Sequence, residues 1–326
     1  MEFTGNPLIE VDGLERTFVI RKRASGLRRT TTIRRAVHDL SFSVEAGEMV
    51  GYIGPNGAGK STTIKMLTGI LVPTSGRVRV AGLDPSRQRT DLARRIGVVF
   101  GQRTTLWWDL PLRDSFELLQ KLYRVPDDRF RRNLAEYVEL LDLGDLMDTP
   151  VRQLSLGQRM RGDITAALLH EPEILYLDEP TIGLDVVSKG RLREFLRALN
   201  TERDTTLLLT THDLADIEAL CRRVIVIDHG TTVFDGTLDR LRDGAGATRT
   251  LVVDLVDEAP PIDVPGAETT RVEGPRQWLS FPADASAAPI VAAVAASYDV
   301  ADLSIQEPAI EDVIHQIYQR GAPPLS

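Results

Sequence analysis

Short apolar runs alternate with longer amphipathic segments along most of this chain. Runs bounded by turn residues predict strands, and apolar residues at helical spacing predict helices. We expect strands at 8–11, 17–20, 36–44, 48–54, 77–80, 96–100, 174–178, 206–210 and 224–228. We expect helices at 61–68, 112–142, 157–170 and 187–200. This alternation predicts an α/β fold.

The last part of the chain differs in pattern and in charge. Residues 243–326 hold 13 Asp and Glu against four Lys and Arg, whereas the whole chain has a net charge of −8. The change coincides with the Gly-containing stretch 243–246, so we predict a main domain at 1–242 and a small acidic α/β accessory domain at 243–326. Within the second domain we expect strands at 250–256, 278–281 and 300–305 and helices at 285–296 and 310–319.

Composition adds several exclusions. The chain is 42% hydrophobic and 26% charged, which is typical of globular domains. No apolar run approaches the roughly 18 residues of a membrane helix, and the N-terminus lacks the pattern of a secretory signal. A single cysteine, Cys221, excludes an intrachain disulfide and fits a reducing cytoplasm. The acidic second domain argues against a nucleic-acid partner, because phosphate binding needs a basic surface.

One segment of the first domain is strongly basic. Residues 21–35 contain seven Lys and Arg and no acidic residue. The segment fits a solvated loop between two strands. It equally fits a basic patch that faces anionic lipid headgroups or a partner. The sequence leaves both interpretations open.

A Gly-rich segment after the strand at 48–54 has the spacing G-x-x-x-x-G-K-[ST]. It comprises Gly54, Pro55, Asn56, Gly57, Ala58, Gly59, Lys60, Ser61 and Thr62. Residues without a Cβ let successive backbone N–H groups face one phosphate chain, and the following helix adds its positive N-terminal end. Lys60 suits the β- and γ-phosphates, and the Ser61 hydroxyl suits Mg²⁺. The segment predicts a nucleoside triphosphate site.

Two carboxylates end the apolar strand at 174–178. Side chains alternate along a strand, so we expect Asp178 and Glu179 to face different sides and to have different roles. Asp178 is suited to reach Mg²⁺ through water. Glu179 is suited to polarise the attacking water as a general base.

With these motifs the chain resembles the ABC ATPase family. Residues 154–158 read LSLGQ, which is similar to that family's signature loop LSGGQ, although Leu stands where Gly is usual. The resemblance implies that this loop binds the γ-phosphate of a nucleotide held by a second copy of the chain, in a head-to-tail dimer. The residues concerned are Ser155, Leu156, Gly157 and Gln158.

Further family motifs follow in order. Gln102 resembles the Q-loop glutamine, which contacts Mg²⁺ and water and senses the membrane partner. Asp185 resembles the D-loop aspartate at the dimer interface, and His212 resembles the switch histidine on the γ-phosphate. Phe18 matches the aromatic A-loop residue that stacks on adenine, although a plain core phenylalanine is an alternative.

The resemblance also implies an architecture and ligands. The expected fold is a P-loop NTPase with a RecA-like core, an antiparallel β subdomain and a helical subdomain at about 110–165. The expected ligands are ATP and Mg²⁺. The expected partners are integral membrane permease subunits and a second copy of the chain, which together would hold this protein at the cytoplasmic face of the cell membrane.

Three segments resemble one subgroup of the ABC ATPase family. Residues 101–111, 154–164 and 179–189 are similar to exporter ATPases related to drug and viologen efflux. Adjacent tryptophans cannot both enter one core, so we expect Trp107 or Trp108 to be exposed as an interface residue. We therefore expect the ATP-hydrolysing subunit of an exporter. The alternatives are an importer ATPase and a soluble ABC ATPase that acts on ribosomes or DNA.

Overall fold

The structure, a computed structural model, describes most of the chain. The described residues are 7–23, 29–101, 103–211, 213–244, 248–283, 285–306, 310, 313, 314, 317 and 318. The chain divides into two compact units, Met1–Asp235 and Gly236–Ser326.

Strands and helices alternate through the first part of the chain. The strands are β1 (Ile9–Arg23), β2 (Arg29–Val44), β3 (Met49–Ile53), β4 (Ser75–Val80), β5 (Ile96–Phe100), β6 (Ile174–Asp178), β7 (Thr206–Thr210), β8 (Arg223–Asp228) and β9 (Thr231–Thr237). The helices are α1 (Lys60–Leu67), α2 (Arg89–Ala93), α3 (Leu112–Tyr123), α4 (Asp127–Leu140), α5 (Leu156–Leu168), α6 (Val186–Arg203) and α7 (Leu214–Leu220). Short 3₁₀ turns lie at Gly144–Leu146 and Val151–Gln153.

A six-stranded sheet carries the centre of the first unit. Its order is β5-β6-β7-β3-β8-β9, and the pairs from β5 to β8 are parallel. The α/β prediction is therefore confirmed. Parallel strands place their carboxyl ends at one edge, so the loop after β3 and the ends of β6 and β7 lie close together.

A second sheet is antiparallel, with the order β2-β1-β4. The prediction of two separate strands at 8–11 and 17–20 was wrong, because β1 is one strand with register shifts between Val11 and Thr17. These irregularities break the period-two pattern that reveals a strand. The ends of the basic segment, 21–23 and 29–35, also belong to β1 and β2. A loop is therefore the wrong description for those ends.

The helical stretch predicted at 112–142 is two helices, α3 and α4. The chain turns at Arg124, which has a φ of 56°, and Pro126 precedes α4. A residue before proline is disfavoured in the helical conformation, so the break at Val125 has a local cause. Helix α5 then returns to the sheet and contacts α3, α4 and β5.

The two sheets and α1 of the first unit share one apolar core. Val11 and Leu40 come from the antiparallel sheet, Val50 and Tyr176 from the parallel sheet, and Ile64 from α1, and all five are buried. The loop between β3 and α1 is therefore fixed at both ends by buried residues.

The second unit has its own sheet and core. Its elements are α8 (Leu238–Gly244), β10 (Thr248–Leu255), β11 (Glu268–Glu273), β12 (Arg276–Pro282), α9 (Ala287–Ser297) and β13 (Val300–Gln306). The sheet order is β11-β12-β10-β13, all antiparallel. Leu251, Leu279 and Phe281 of the strands are buried with Ile290 and Val294 of α9.

Apolar positions near the C-terminus follow the predicted helical spacing. Ile310, Val313, Ile314 and Ile317 are all helical and buried. Among the residues that the structure describes, no helix has the length and apolar character to cross a membrane.

Candidate active site

A cavity of about 830 Å³ opens at the carboxyl ends of β3 and β6. Its wall brings together Lys60, Ser61, Asp178 and Glu179, which are far apart in sequence. The other predicted loop residues in this wall are Pro55, Asn56, Gly57, Gly59 and Thr62. Gly54 lies at the base of the loop, and Ala58 is buried beneath it.

Two glycines mark positions where the loop between β3 and α1 tolerates no side chain. Gly59 has a φ of 111°, and a Cβ there would lie 2.6 Å from the carbonyl oxygen of Ala36. A Cβ on Gly54 would lie 2.5 Å from the carbonyl oxygen of Ile227. At Gly59 the backbone conformation and the close approach both require glycine, and at Gly54 the close approach does. The loop is therefore pressed against β2 and β8, as a backbone cradle for an anion requires.

Lys60 is the first residue of α1 and lies over this loop. Its Nζ donates hydrogen bonds to the carbonyl oxygens of Gly54 and Pro55. Burial lowers the pKa of Lys60, while the nearby carboxylates of Glu179 and Asp178 act in the opposite direction. A cation in this position can follow a phosphate chain that the loop binds.

Ser61 and Asp178 meet at the wall of the cavity. The Ser61 Oγ lies 3.4 Å from the Asp178 Oδ2. Thr210, at the end of β7, donates a hydrogen bond of 2.5 Å to the other carboxylate oxygen of Asp178. This bond fixes the orientation of the carboxylate. A hydroxyl and a carboxylate at this separation are hard oxygen ligands that fit Mg²⁺.

Glu179 leaves the strand in a left-handed conformation, with a φ of 57°. Its backbone N–H donates to the carbonyl oxygen of Thr210 at 2.8 Å, which holds this conformation. The expectation that Asp178 and Glu179 face different sides was wrong, since both line the same cavity. Alternation applies within a strand, and β6 ends at Asp178. A non-glycine residue with positive φ is uncommon and indicates a constrained position.

Phe18 on β1 lines the opposite part of the cavity and is only half-buried. It is absent from the described apolar cores, so the alternative of a core phenylalanine is not supported. The Arg16 guanidinium lies 4.7 Å from the Phe18 ring centroid and donates to the carbonyl oxygen of Val72 at 2.8 Å. The arginine braces the ring against the protein.

The segment 155–158 lies outside this cavity in its own chain. Ser155 caps α5 and forms a capping box, in which the Gln158 N–H donates to the Ser155 Oγ at 3.2 Å and the Ser155 N–H donates to the Gln158 Oε1 at 2.9 Å. Leu156 is 37% exposed. The loop therefore presents a helix N-terminus and an apolar side chain to solvent.

Two leucine–glycine contacts join this segment to 183–184. A Cβ on Gly183 would lie 2.5 Å from the Leu156 Cδ2, and a Cβ on Gly157 would lie 2.8 Å from the Leu184 Cδ2. Each leucine therefore covers a glycine of the other loop. Asp185 follows and caps α6 through two bonds from Ser188, which lower the pKa of its carboxyl.

Two predicted site residues, Gln102 and His212, lie outside the described residues. Sequence reasoning missed Thr210, the partner of Asp178, although it ends the strand beside β6. It also missed a buried group around Asp216 on α7. The Asp216 carboxylate accepts bonds from the Thr181 hydroxyl at 2.6 Å and the Arg193 Nε at 2.7 Å. This group ties the segment after Glu179 to α6 and α7.

The tryptophan pair lies beside the segment that follows Gln102. Trp107 is 40% exposed and Trp108 is 51% exposed, so the expected exposure holds for both rings. The Arg159 guanidinium of α5 lies 5.6 Å from the Trp108 ring centroid. Asp163 of the same helix accepts bonds of 2.9 Å from the Thr104 hydroxyl and the Thr105 N–H. The segment is therefore fixed to α5.

A smaller cavity of about 210 Å³ lies between α3, α5 and β5. Its wall includes Tyr123 and His170, whose rings stack at 4.1 Å. The His170 Nε2 donates to the carbonyl oxygen of Ile96 at 3.0 Å, and its Nδ1 is buried without a hydrogen-bond partner in the described part of the chain. Burial lowers the pKa of His170, which favours the neutral ring.

Comparison with known proteins gives a consistent set of similarities. The family described as ABC transporter matches residues 37–182. The daunorubicin resistance ATP-binding protein DrrA3 of Streptomyces coeruleorubidus is 34% identical over 288 residues, which is 86% of this chain and 90% of that protein. The ABC transporter ATP-binding protein NatA of Bacillus subtilis is 35% identical over 64% of this chain and 84% of its own length.

Solved structures resemble the fold as well. A dimeric, post-hydrolysis structure of the ATP-binding cassette MJ0796 with ADP and Pi matches with a TM-score of 0.62 and 26% identity. The match covers 71% of this chain and 98% of that one. The chain is thus similar to ATP-binding cassettes over most of their length.

Proposed function

The chain belongs to the ABC transporter family as an ATP-binding and ATP-hydrolysing member, and on that premise we propose that it is the motor subunit of a membrane exporter. One observation carries the proposal: Lys60, Ser61, Asp178 and Glu179 converge on one cavity, while the segment 155–158 lies outside it. Such a half-site needs a second copy for completion.

Export rather than import is supported by the relatives. The alignment with the daunorubicin resistance protein spans 288 residues, more than the first unit contains, so the similarity extends into the second unit. An importer motor would share the ATP site but has no comparable support. The boundary at 242 and the accessory role of the acidic C-terminal domain stay proposals.

The nucleotide would bind with its phosphates on the loop 54–62. Backbone N–H groups of the loop and the Lys60 ammonium would hold the phosphates. Phe18 would stack on adenine through the ring face that Arg16 leaves open. The short distance between Ser61 and Asp178 supports their role as the residues that would hold Mg²⁺. When bound, Mg²⁺ would neutralise charge on the phosphate oxygens.

Glu179 would act as the general base for the attacking water. It lines the cavity together with Asp178, and its left-handed backbone marks the end of β6. The role of Gln102, in contact with Mg²⁺ and water, comes from the family resemblance. His212 would donate a hydrogen bond to the γ-phosphate on the same basis.

The second copy would supply what the cavity lacks. In our proposal Ser155, Leu156, Gly157 and Gln158 of one copy close over the nucleotide on the loop of the other, and Asp185 lies at the same interface. Closure would exclude water except the one that Glu179 orients, and hydrolysis would release the two copies. The dimeric state of the similar MJ0796 cassette supports this arrangement.

The permease would dock beside the segment 103–108. Two exposed tryptophans and the neighbouring apolar cavity at Tyr123 and His170 offer a surface for an apolar cytoplasmic segment of a membrane protein. The hydrogen bonds that Asp163 accepts and the contact of Arg159 with Trp108 would carry a movement of this surface to α5, whose first turn lies in the segment 155–158. The protein would thus work at the cytoplasmic face of the membrane.

Glu179→Gln tests the catalytic part of this proposal. The variant should bind MgATP with wild-type affinity, hydrolyse it at least 100-fold more slowly, and accumulate as an ATP-bound dimer in sedimentation. Glu194→Gln, at an exposed position of α6, is the matched control and should behave as wild type. Wild-type turnover in Glu179→Gln would exclude this residue as the base.

Isolation of the native complex tests the transporter part. An exporter motor should co-purify with an integral membrane permease and no solute-binding protein. Trp107→Ala with Trp108→Ala should reduce that co-purification while MgATP binding persists. Recovery with rRNA or DNA and without a membrane protein would contradict the proposal.

A further inference from the structure

The strands β1 and β2 continue beyond the antiparallel sheet as a two-stranded ribbon. The third strand, β4, pairs with β1 only as far as the pair Glu15–Ser75. Past that point β1 and β2 pair only with each other, in regular register from Thr17–Arg35 outward. Each face of this ribbon therefore has its own set of side chains.

The two faces have different environments. Phe18 is directly opposite Arg34, and both line the large cavity together with Ile20. Val19 is directly opposite Ile33 on the other face, and these side chains are 60% and 66% exposed. One face of the ribbon is therefore part of the nucleotide site.

The Arg34 guanidinium lies next to the loop 54–62. Its Nη2 lies 3.8 Å from the position that a Cβ on Gly57 would occupy. Gly57 has a φ of 88°, so a side chain there would be strained as well as directed toward the guanidinium. The gap between the loop and Arg34 therefore stays open to a ligand.

Arg34 has no protein partner in the described part of the chain: no hydrogen bond, ion pair or ring contact involves its side chain. The contrast with Arg16 is direct, since Arg16 stacks on Phe18 and donates to Val72. Elsewhere on the surface an arginine charge is paired with a carboxylate, as Arg77 is with Asp12. Among the described residues, the Arg34 charge has no such pair beside the loop 54–62.

We infer that Arg34 is a further phosphate-binding residue of the nucleotide site, supplied by the ribbon and not by any of the sequence motifs. The inference rests on the proposed placement of ATP on the loop 54–62. A guanidinium forms paired, charge-assisted hydrogen bonds to phosphate oxygens, which an ammonium cannot do in the same geometry. Arg34 and Lys60 thus hold the phosphates from two different elements, β2 and α1.

The test measures nucleotide affinity and not turnover. Dissociation constants for MgATP and for AMP are determined by calorimetry on the full chain with Arg34→Ala, Arg34→Gln and Arg34→Lys. We expect Arg34→Ala and Arg34→Gln to weaken MgATP binding roughly ten-fold. AMP, which lacks the β- and γ-phosphates, should be affected much less. Arg34→Lys should retain part of the MgATP affinity.

Arg35→Ala is the matched control. Arg35 is the next residue on β2, is exposed, and belongs to the other face of the ribbon. Its removal changes the net charge by the same amount, so a general electrostatic effect would appear equally in both variants. We expect wild-type affinity for Arg35→Ala.

Three results would overturn the inference or its premise, and they differ. Unchanged MgATP affinity in Arg34→Ala, with binding lost in Lys60→Ala, would exclude Arg34 and leave the proposed site intact. Equal weakening for MgATP and AMP would exclude the phosphate contact. Retained MgATP affinity in Lys60→Ala would instead contradict the proposed placement of the nucleotide.

Discussion

At the scale of single residues, the site depends on backbone positions that most side chains avoid. Gly59 and Gly183 have φ values of 111° and 74°, and Glu179 has a φ of 57°. The glycines permit close approach at no steric cost, whereas Glu179 keeps its conformation through the bond to Thr210. These positions predict how the chain responds to small substitutions.

Gly183→Ala should destabilise the first unit by roughly 1–2 kcal/mol. The added Cβ would lie 2.5 Å from the Leu156 Cδ2, and the positive φ is unfavourable for alanine. Adding Leu156→Ala should remove the share of this destabilisation that comes from the steric contact, but not the share that comes from the positive φ. Urea unfolding of the two variants and the double variant measures both parts.

Gly190→Ala is the control for this series, and we expect it to stabilise the protein where Gly183→Ala destabilises it. Gly190 lies inside α6, and a Cβ there would meet nothing within 4 Å. Alanine has the higher helix propensity, so we expect a gain of about 0.5–1 kcal/mol in the free energy of unfolding. A loss at Gly190, or no interaction between Gly183→Ala and Leu156→Ala, would contradict the contacts described above.

At the scale of elements, the edge of the parallel sheet that carries the cavity is held by side chains that join different segments. Asp216 of α7 is fully buried and binds both Thr181 and Arg193. It fixes the segment after Glu179 to α6, and α7 itself begins two residues after His212. The same group therefore supports the loop after Glu179, whose residue Ile182 lines the cavity.

Asp216→Ala should lower the free energy of unfolding by about 3 kcal/mol, because it leaves the largely buried Arg193 guanidinium without its partner. Asp12→Ala removes a carboxylate from an ion pair whose side chains are 87% and 58% exposed, and should cost less than about 1 kcal/mol. Chemical denaturation measures the free energy of unfolding of both variants against the wild type. Equal losses would show that burial does not govern these pairs.

At the scale of the whole molecule, each unit has an apolar core among the described residues. Each core consists of residues from its own unit only. Separate cores of this kind favour separate unfolding transitions. Only the first unit contains the cavity that we assign to ATP.

MgATP should therefore stabilise one transition and leave the other unchanged. At about 100 times its dissociation constant, a ligand that binds only the folded state adds about 2.7 kcal/mol. The chain has three tryptophans, and Trp278 is the one in the second unit. In a variant with Trp107→Phe and Trp108→Phe, its fluorescence reports the second unit alone, while calorimetry reports both.

The expected fluorescence midpoint of that variant is the same with and without MgATP, while one calorimetric transition moves upward. A single transition that moves as a whole would show that the two units unfold together. It would contradict the independence of the two cores.

Some of these features could be predicted from the sequence, and others could not. The loop 54–62 could be located from the sequence, because a phosphate-binding role restricts both the residue types and their spacing. The α/β class followed from the alternation of patterns. The break before Pro126 and the continuous strand β1 were missed. A turn inside a helical pattern and a shift in strand register both interrupt the spacing of apolar residues from which elements are predicted.

The sequence by itself determined the chemistry of this protein. Lys60, Ser61, Asp178 and Glu179 were recognisable because catalysis on phosphates restricts the side chains that can serve. Only the tertiary structure decided which residues meet. Thr210 holds Asp178, and Asp216 joins α7 to α6 and to the segment after Glu179. Arg34 reaches the loop 54–62 because strand register brings distant segments together. Those contacts depend on packing between elements, and no local sequence pattern carries that information.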